Sequence, residues 1–165
     1  MIHPCRWSLL SLSVLGMSIW SLPAHAASPE TAPATLVSAL EQIESASNEQ
    51  DIEAVMAFYA SDFTNDDGFN YETLKATLPQ LWERYDSLSY RVELQSWEAI
   101  DGGYVAETVT YIDGIQTTPR RLTLESVIRS RQQFTDDKIV SQETLSERNQ
   151  LNSETPPPEV IVILP

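Results

Sequence analysis

Glu107 is the ionisable residue whose place in the sequence comes nearest to acid–base chemistry. It shares strand parity with Val105, Val109 and Tyr111 in the alternating segment Tyr104–Ile112. If that face points inward, an apolar pocket desolvates the carboxylate and raises its pKa toward the range of a general base. If the opposite face points inward, Glu107 is simply solvated, as most glutamates are. Either face could be the inner one, so the sequence leaves the choice open.

A reaction at Glu107 would also need a second polar group. Tyr111 lies four residues along the same strand, about 13 Å away at about 3.3 Å per residue, which is too far to share one reacting atom. Tyr59 or Tyr85 would have to supply the hydroxyl from the helices.

Aromatic side chains could line a ligand pocket with flat apolar walls. Aromatic stripes at helical spacing more often form plain core, because amphipathic helices bury such faces anyway. The candidate ligand-binding residues are Tyr59, Phe63, Trp82, Tyr85, Trp97 and Tyr111.

The composition excludes several classes of catalytic site. The single cysteine, Cys5, and both histidines, His3 and His25, precede a predicted cleavage point after Ala26. A mature chain without Cys or His has no Ser-His-Asp triad, cysteine nucleophile, disulfide or ordinary zinc site. We expect no cofactor.

An acidic corner formed by Asp62, Asp66 and Asp67 invites comparison with a calcium loop. The EF-hand pattern fails, because Asp67 occupies the glycine position and Thr73 occupies the twelfth position, which needs a bidentate carboxylate. Turn formation and helix capping account for these residues, so we predict no metal site.

The first 26 residues have the features of an export signal. Arg6 precedes an apolar run, Trp7–Leu22, and an A-x-A motif ends at Ala26. The run is shorter than the roughly 20 residues that span a bilayer, although a retained anchor is the alternative.

Cleavage after Ala26 leaves 139 residues (165 less 26), enough for one domain. We expect a periplasmic or secreted protein with no membrane contact after cleavage.

The chain is strongly acidic, with a formal net charge of −14 at neutral pH. Nucleic acid and anionic membrane surfaces are disfavoured partners, because both would repel such a chain. The charge otherwise predicts solubility and points to no specific site.

Apolar residues recur every three or four positions in the first half of the mature chain, which predicts three helices. The central helix is Asp51–Phe63, with a capping-box-like start at Asn48 and Asp51. The polar stretch Ser45–Gln50 separates it from the first helix.

The third predicted helix follows a turn and begins at the cap Asn70. Its stripe runs from Leu74 to Tyr85. Pro79 interrupts this helix, which predicts a kink or two short helices.

From Leu88 the apolar period changes to two, which predicts four antiparallel strands. The alternation slips near Ser96 and Trp97, as at a β-bulge. Asp113-Gly114 is a hairpin signal, and the last strand lies around Ile139–Leu145.

Helices followed by a meander of strands predict the α+β class. We expect a flexible leader over 27–34, one domain over 35–146 and a proline-rich tail over 147–165. The tail ends in Val160–Leu164, an apolar strand that would dock on a sheet edge or a partner subunit, or else fray.

Three segments together resemble the NTF2-like superfamily, including SnoaL-like and ketosteroid-isomerase-like proteins. They are Asn48–Phe63, the turn and helix after it, and the closing hairpin with Asp137–Val140. The resemblance covers about 35–146. It implies a cone, in which a bent antiparallel sheet of about four strands wraps around three N-terminal helices.

In relatives, the pocket of this cone serves apolar ligands, isomerase or dehydratase chemistry, or protein contacts, and dimers form through the sheet. Ketosteroid isomerases use a carboxylate base, a tyrosine and a protonated carboxylic acid. That trio does not carry over onto this sequence.

The leading hypothesis is an exported, non-catalytic domain that binds a small apolar ligand or a protein partner in or beside its cone. The alternative is an isomerase, cyclase or dehydratase of the same fold, with Glu107 as base. A third possibility is an assembly module whose terminal strand adds to the sheet of another chain.

Overall fold

The computed structural model describes residues 26–117 and 121–153. The predicted signal before Ala26 and the terminal apolar strand lie outside these residues. The elements in chain order are a 3-10 turn (Pro29–Thr31), α1 (Ala34–Asn48), α2 (Ile52–Met56), β1 (Tyr59–Asn65), α3 (Tyr71–Arg84), β2 (Ser87–Ile100), β3 (Gly103–Gln116), β4 (Leu122–Thr135) and β5 (Lys138–Ser153).

The sheet has five strands in the order β1-β5-β4-β3-β2, and β1 runs parallel to β5. The expected four-stranded antiparallel sheet is therefore wrong by one strand. The extra strand, Tyr59–Asn65, comes from the end of the predicted central helix, so α2 stops at Met56.

The reason is that Tyr59 and Phe63 satisfy both a helical and an extended pattern. A helix this short is marginal by itself. The Phe58 carbonyl accepts the Ile139 N–H at 2.7 Å, and Tyr59 pairs with Ile139. Sheet pairing and the burial of Phe63 therefore override the preference of this segment for a helix.

The start of α2 also differs from the expected cap. The Asp51 side chain accepts the Ala54 N–H at 3.0 Å, so Asp51 is the cap. Asn48 instead closes α1, which continues through most of the predicted break.

The third helix begins as predicted. Asn70 and Thr73 form a reciprocal capping box. Pro79 lies inside one continuous helix, α3, and does not divide it in two.

The predicted bulge is confirmed by a register shift between Leu94 and Ser96. It turns Trp97 to the same face as Ala106.

The hairpin predicted at Asp113-Gly114 is wrong, because β3 runs through it to Gln116. A Cβ on Gly114 would come within 2.8 Å of Leu88 and 3.0 Å of Tyr85. Close packing against these side chains explains this glycine.

The helices cover one face of the sheet, here called the concave face. One cluster of buried residues joins α1 to the sheet, and a second joins α1, α2 and α3 to one another. Tyr59 packs against both clusters. The first contains Leu36, Ala39, Leu40, Phe63, Ala106, Phe134 and Ile139, and the second contains Ala46, Val55 and Trp82.

The leader and the end of β5 are more ordered than the sequence predicted. Ala27 forms a β-bridge with Trp97, whose indole N–H reaches the Ser28 carbonyl at 3.2 Å. β5 continues to Ser153, beyond the predicted limit at residue 146, because β4 pairs with it to Leu122. No helix among the described residues is long and apolar enough to cross a membrane.

Side chains of α1 cover the outer edge of β2. The Asn48 amide donates to the Tyr90 carbonyl at 2.9 Å and accepts the Tyr90 N–H at 2.8 Å. One turn earlier, the Glu44 carboxylate accepts the Val92 N–H at 2.7 Å. These two residues replace a neighbouring strand, which protects this edge from pairing with another chain.

Replacing Asn48 by alanine should lower the free energy of unfolding by about 1–2 kcal/mol, because two strand hydrogen bonds lose their partner. Urea denaturation measures the loss. Gln42→Ala is the matched control on the same helix, since the Gln42 amide bonds only the exposed Ser38 hydroxyl. Equal effects of the two substitutions would contradict a special role for Asn48.

Candidate functional site

The parity of β3 decides which side chains can enter the cone. Ala106 and Thr108 are fully buried on the concave face, beneath the helices. Glu107 has the opposite parity and lies on the other face of the sheet, here called the outer face. Of the two alternatives that the sequence left open, the structure corresponds to the one that places Glu107 outside the cone.

On the outer face Glu107 is held by two arginines. Its carboxylate oxygens lie 3.0 Å from Arg129 Nη2 and 2.7 Å from Arg131 Nη2. Arg131 also lies 3.5 Å from Glu143 on β5. The hydrogen bond from Arg131, together with that from Arg129, lowers the pKa of Glu107 below its ordinary value. A general base at neutral pH would need the opposite shift.

The six aromatic candidates do not form one wall. Tyr59 and Phe63 stack edge to face with their ring centroids 4.9 Å apart. The Trp82 indole donates to the Tyr90 hydroxyl at 3.1 Å. Trp82 and Tyr59 therefore both belong to the interior between helices and sheet.

The side chains of the other three candidates do not form one wall with each other. Trp97 packs against the cluster that contains Phe63, contacts Tyr104 edge to face with ring centroids 6.0 Å apart, and pairs through its backbone with Ala27. Tyr85 lies over Gly114. Tyr111 is on the outer face, where Arg91 sits 3.9 Å above its ring.

The concave face carries a row of neutral polar side chains that the sequence analysis did not single out. The hydroxyls of Thr108 and Ser130 lie 3.2 Å apart, and both residues are buried. At the next residue pair along the strands, Gln132 Nε2 donates to the side-chain oxygen Oε1 of Gln142 at 3.1 Å. The signal was available in the alternation of β4, because Ser126, Ser130 and Gln132 share the parity of the buried Phe134.

Gln132 Oε1 is buried without a hydrogen-bond partner among the described residues. An unpartnered buried amide oxygen costs about 1–3 kcal/mol. This acceptor is therefore the polar group of the interior that gains most from a donor.

The interior phenols stay protonated at neutral pH. Burial raises the pKa of Tyr59 to about 12, and burial also raises the pKa of Tyr90. Tyr59 and Tyr90 can therefore donate hydrogen bonds there, but they cannot serve as bases.

The acidic corner has a structural role. Asp66 accepts the Thr144 N–H at 3.0 Å, and Asp67 accepts the Thr144 hydroxyl at 3.0 Å. In the described part of the chain, no three acidic, cysteine or histidine side chains are grouped as a metal would require.

Comparisons with known proteins identify the type of fold. No family model matches the sequence, and neither does any curated protein. Among solved structures, a putative scytalone dehydratase from Novosphingobium aromaticivorans is 12% identical over 70% of this chain and 85% of its own, with a TM-score of 0.56. An NTF-2-like protein of unknown function from Burkholderia xenovorans is 18% identical over 76% of this chain and 88% of its own, with a TM-score of 0.43.

The chain has an NTF2-like fold. Bd1075 of Bdellovibrio bacteriovorus is also similar, at 20% identity and a TM-score of 0.47, over 66% of this chain but only 38% of that protein. Identities this low show the fold alone, and an NTF2-like fold hosts many activities.

Replacing Glu107 by glutamine should lower the free energy of unfolding at about pH 7 by up to about 1 kcal/mol, because a largely exposed ion-pair network is lost. A depressed carboxyl pKa stabilises the fold above the ordinary value of 4.5, and this stabilisation disappears as the pH falls through the folded-state pKa.

Denaturation at about pH 7 and about pH 3 measures both effects, and the difference in stability between the variant and the unsubstituted chain should be smaller at the lower pH. Glu143→Gln is the control, because Glu143 makes only the longer contact to Arg131. A stability gain from Glu107→Gln would contradict the ion-paired assignment.

Proposed function

We propose that this protein is an exported, non-catalytic NTF2-like domain that binds a small, mainly apolar molecule against its concave face. One observation carries the proposal. The buried polar side chains of the described chain are Thr108, Ser126 and Ser130, all neutral hydroxyls, and they lie on the concave face. An interior of this kind offers hydrogen bonds and apolar contact without a charged reacting group.

The unpartnered oxygen of Gln132 narrows the ligand class. A molecule that carries one hydroxyl or amine donor would satisfy this acceptor, while its apolar body packs against interior aromatics such as Tyr59 and Trp82. Sites for small molecules commonly combine apolar walls with a few polar groups in this way.

The catalytic alternative has less support. It needs a base inside the cone, and the carboxylate nominated from the sequence is paired with arginines on the outer face. Interior tyrosines with raised pKa values cannot replace it. The similarity to the putative scytalone dehydratase is one of fold alone, because the two chains are only 12% identical.

The contacts of Ala27 are compatible with the proposed cleavage site. The backbone N–H of Ala27 donates to the Trp97 carbonyl at 2.7 Å, and the Ala27 carbonyl accepts in return at 3.2 Å. Cleavage after Ala26 would turn the Ala27 N–H into the α-amino group of the mature chain, which can still donate to the Trp97 carbonyl, and the Ala27 carbonyl would be unchanged. The final compartment would be the periplasm or the exterior.

Native mass spectrometry of the chain recovered from the exported fraction tests the ligand. A small molecule should accompany the folded protein and disappear on denaturation. A folded chain that is empty, and that binds none of a panel of apolar alcohols and amines, would contradict the proposal.

A pair of neighbouring substitutions locates the ligand. Thr110→Trp adds bulk on the concave face, and we expect it to lower the bound fraction at least tenfold by occupying the ligand's space. Val109→Trp is the matched control, because it adds the same bulk on the outer face and should leave binding unchanged. Circular dichroism verifies that both variants fold. Equal loss in both would place the ligand elsewhere.

N-terminal sequencing of the exported protein tests the cleavage site. We expect the mature chain to begin at Ala27, because the A-x-A motif ends at Ala26. A start several residues beyond Ala27 would contradict this, since the bridge to Trp97 would be lost.

A further inference from the structure

The two edges of β5 are covered to very different extents. On one edge, β4 pairs with β5 from Lys138 to Ser153. On the other edge, pairing with β1 ends at Gln142, and Asp66 covers the N–H of Thr144. Within the described residues, no strand pairs with this second edge from Ser146 to Ser153.

This open edge is exposed along its whole length. Every residue from Ser146 to Ser153 is exposed, and Leu151 has a relative exposure of 62%. The opposite edge of the sheet, on β2, is covered by Asn48, Glu44 and Ala27. A long exposed strand edge presents unpaired N–H and C=O groups that recruit another strand.

A strand of suitable composition follows directly in the sequence. Six residues, Glu154–Glu159, separate the end of β5 from Val160–Leu164. Four β-branched residues and a leucine in succession are typical of a buried strand. The five residues could extend over about 17 Å, which is enough to cover most of the open edge.

The connecting segment argues against a return to the same β5. Three of its six residues are consecutive prolines, Pro156–Pro158. Such runs favour an extended, semi-rigid conformation of about 3.1 Å per residue. Tight hairpins need two to five residues with Gly, Asn or Asp at the turn, and this segment has none of these three residue types.

We propose that Val160–Leu164 of one copy adds as a strand to the open edge of β5, Ser146–Ser153, in a second copy. Each copy would give one strand and accept one, so the exchange closes a symmetric dimer. This contact is independent of ligand binding on the concave face. It also differs from a dimer through the outer face of the sheet.

Light scattering on the chain Ala27–Pro165 and on a chain ending at Ser153 tests the exchange. We expect the longer chain to be dimeric and the shorter one to be monomeric, with β5 intact in both. Ile161→Lys with Ile163→Lys should raise the dimer dissociation constant at least tenfold. The matched control, Glu154→Lys with Thr155→Lys, adds the same number of lysines to the connecting segment and should remain dimeric.

Cysteine cross-linking identifies the contact itself, because the chain from Ala27 contains no cysteine. A Leu151→Cys chain mixed with a Val162→Cys chain should form a disulfide-linked heterodimer on mild oxidation. In the control, an Ile115→Cys chain replaces the Leu151→Cys chain in the mixture with Val162→Cys. Ile115 is partly exposed on β3, away from the open edge, so it should cross-link far less.

Three results would overturn the proposal. A dimer that persists in the chain ending at Ser153 would place the contact on another surface. A longer chain that is monomeric, and as stable as the shorter one, would show that the strand docks nowhere. A monomeric longer chain with higher stability than the shorter one would show that the strand returns to its own β5.

Discussion

The constraint on which this structure depends is the alternation of side chains along β3. Ala106 and Thr108 are fully buried under the helices, so every residue of opposite parity must lie on the outer face. A shift of one residue would exchange the two sets. This strand register places neutral hydroxyls inside the cone, and it places the Glu107 carboxylate on the outer face beside Arg129 and Arg131.

The two faces therefore have different chemistry. Outside, charged groups form ion pairs across β3, β4 and β5, where solvent screens them and each contributes little stability. Inside, burial keeps the tyrosines protonated and leaves the Gln132 oxygen without a partner. The interior can therefore donate and accept hydrogen bonds, and it holds no buried carboxylate among the described residues.

Sequence reasoning succeeded where local patterns had one physical meaning. The cap at Asn70 and the bulge before Ser96 follow from side-chain chemistry and strand period. It failed where one pattern fitted two structures. Tyr59 and Phe63 are four residues apart, as on a helix, but only the distant Ile139 backbone makes this segment a strand.

The candidate site was predictable only in part, because here too one sequence pattern fitted two structures. The alternation of β3 was visible, but both of its faces were apolar enough to be buried, and only the packing of α1 chose between them. Gly114 resembled a turn residue, because the sequence does not show that Tyr85 and Leu88 come within contact distance of it. The row Thr108, Ser130 and Gln132 is polar in sequence and becomes interior only through pairing across β3 and β4.

The most direct test of the central claim is an NMR titration of the Glu107 side-chain carboxyl in the folded chain, assigned by comparison with Glu107→Gln. The outer-face assignment predicts a pKa below the ordinary value of 4.5, because the carboxylate accepts hydrogen bonds from Arg129 and Arg131. A pKa raised above that value would contradict it, since it would mean that Glu107 is desolvated inside the cone.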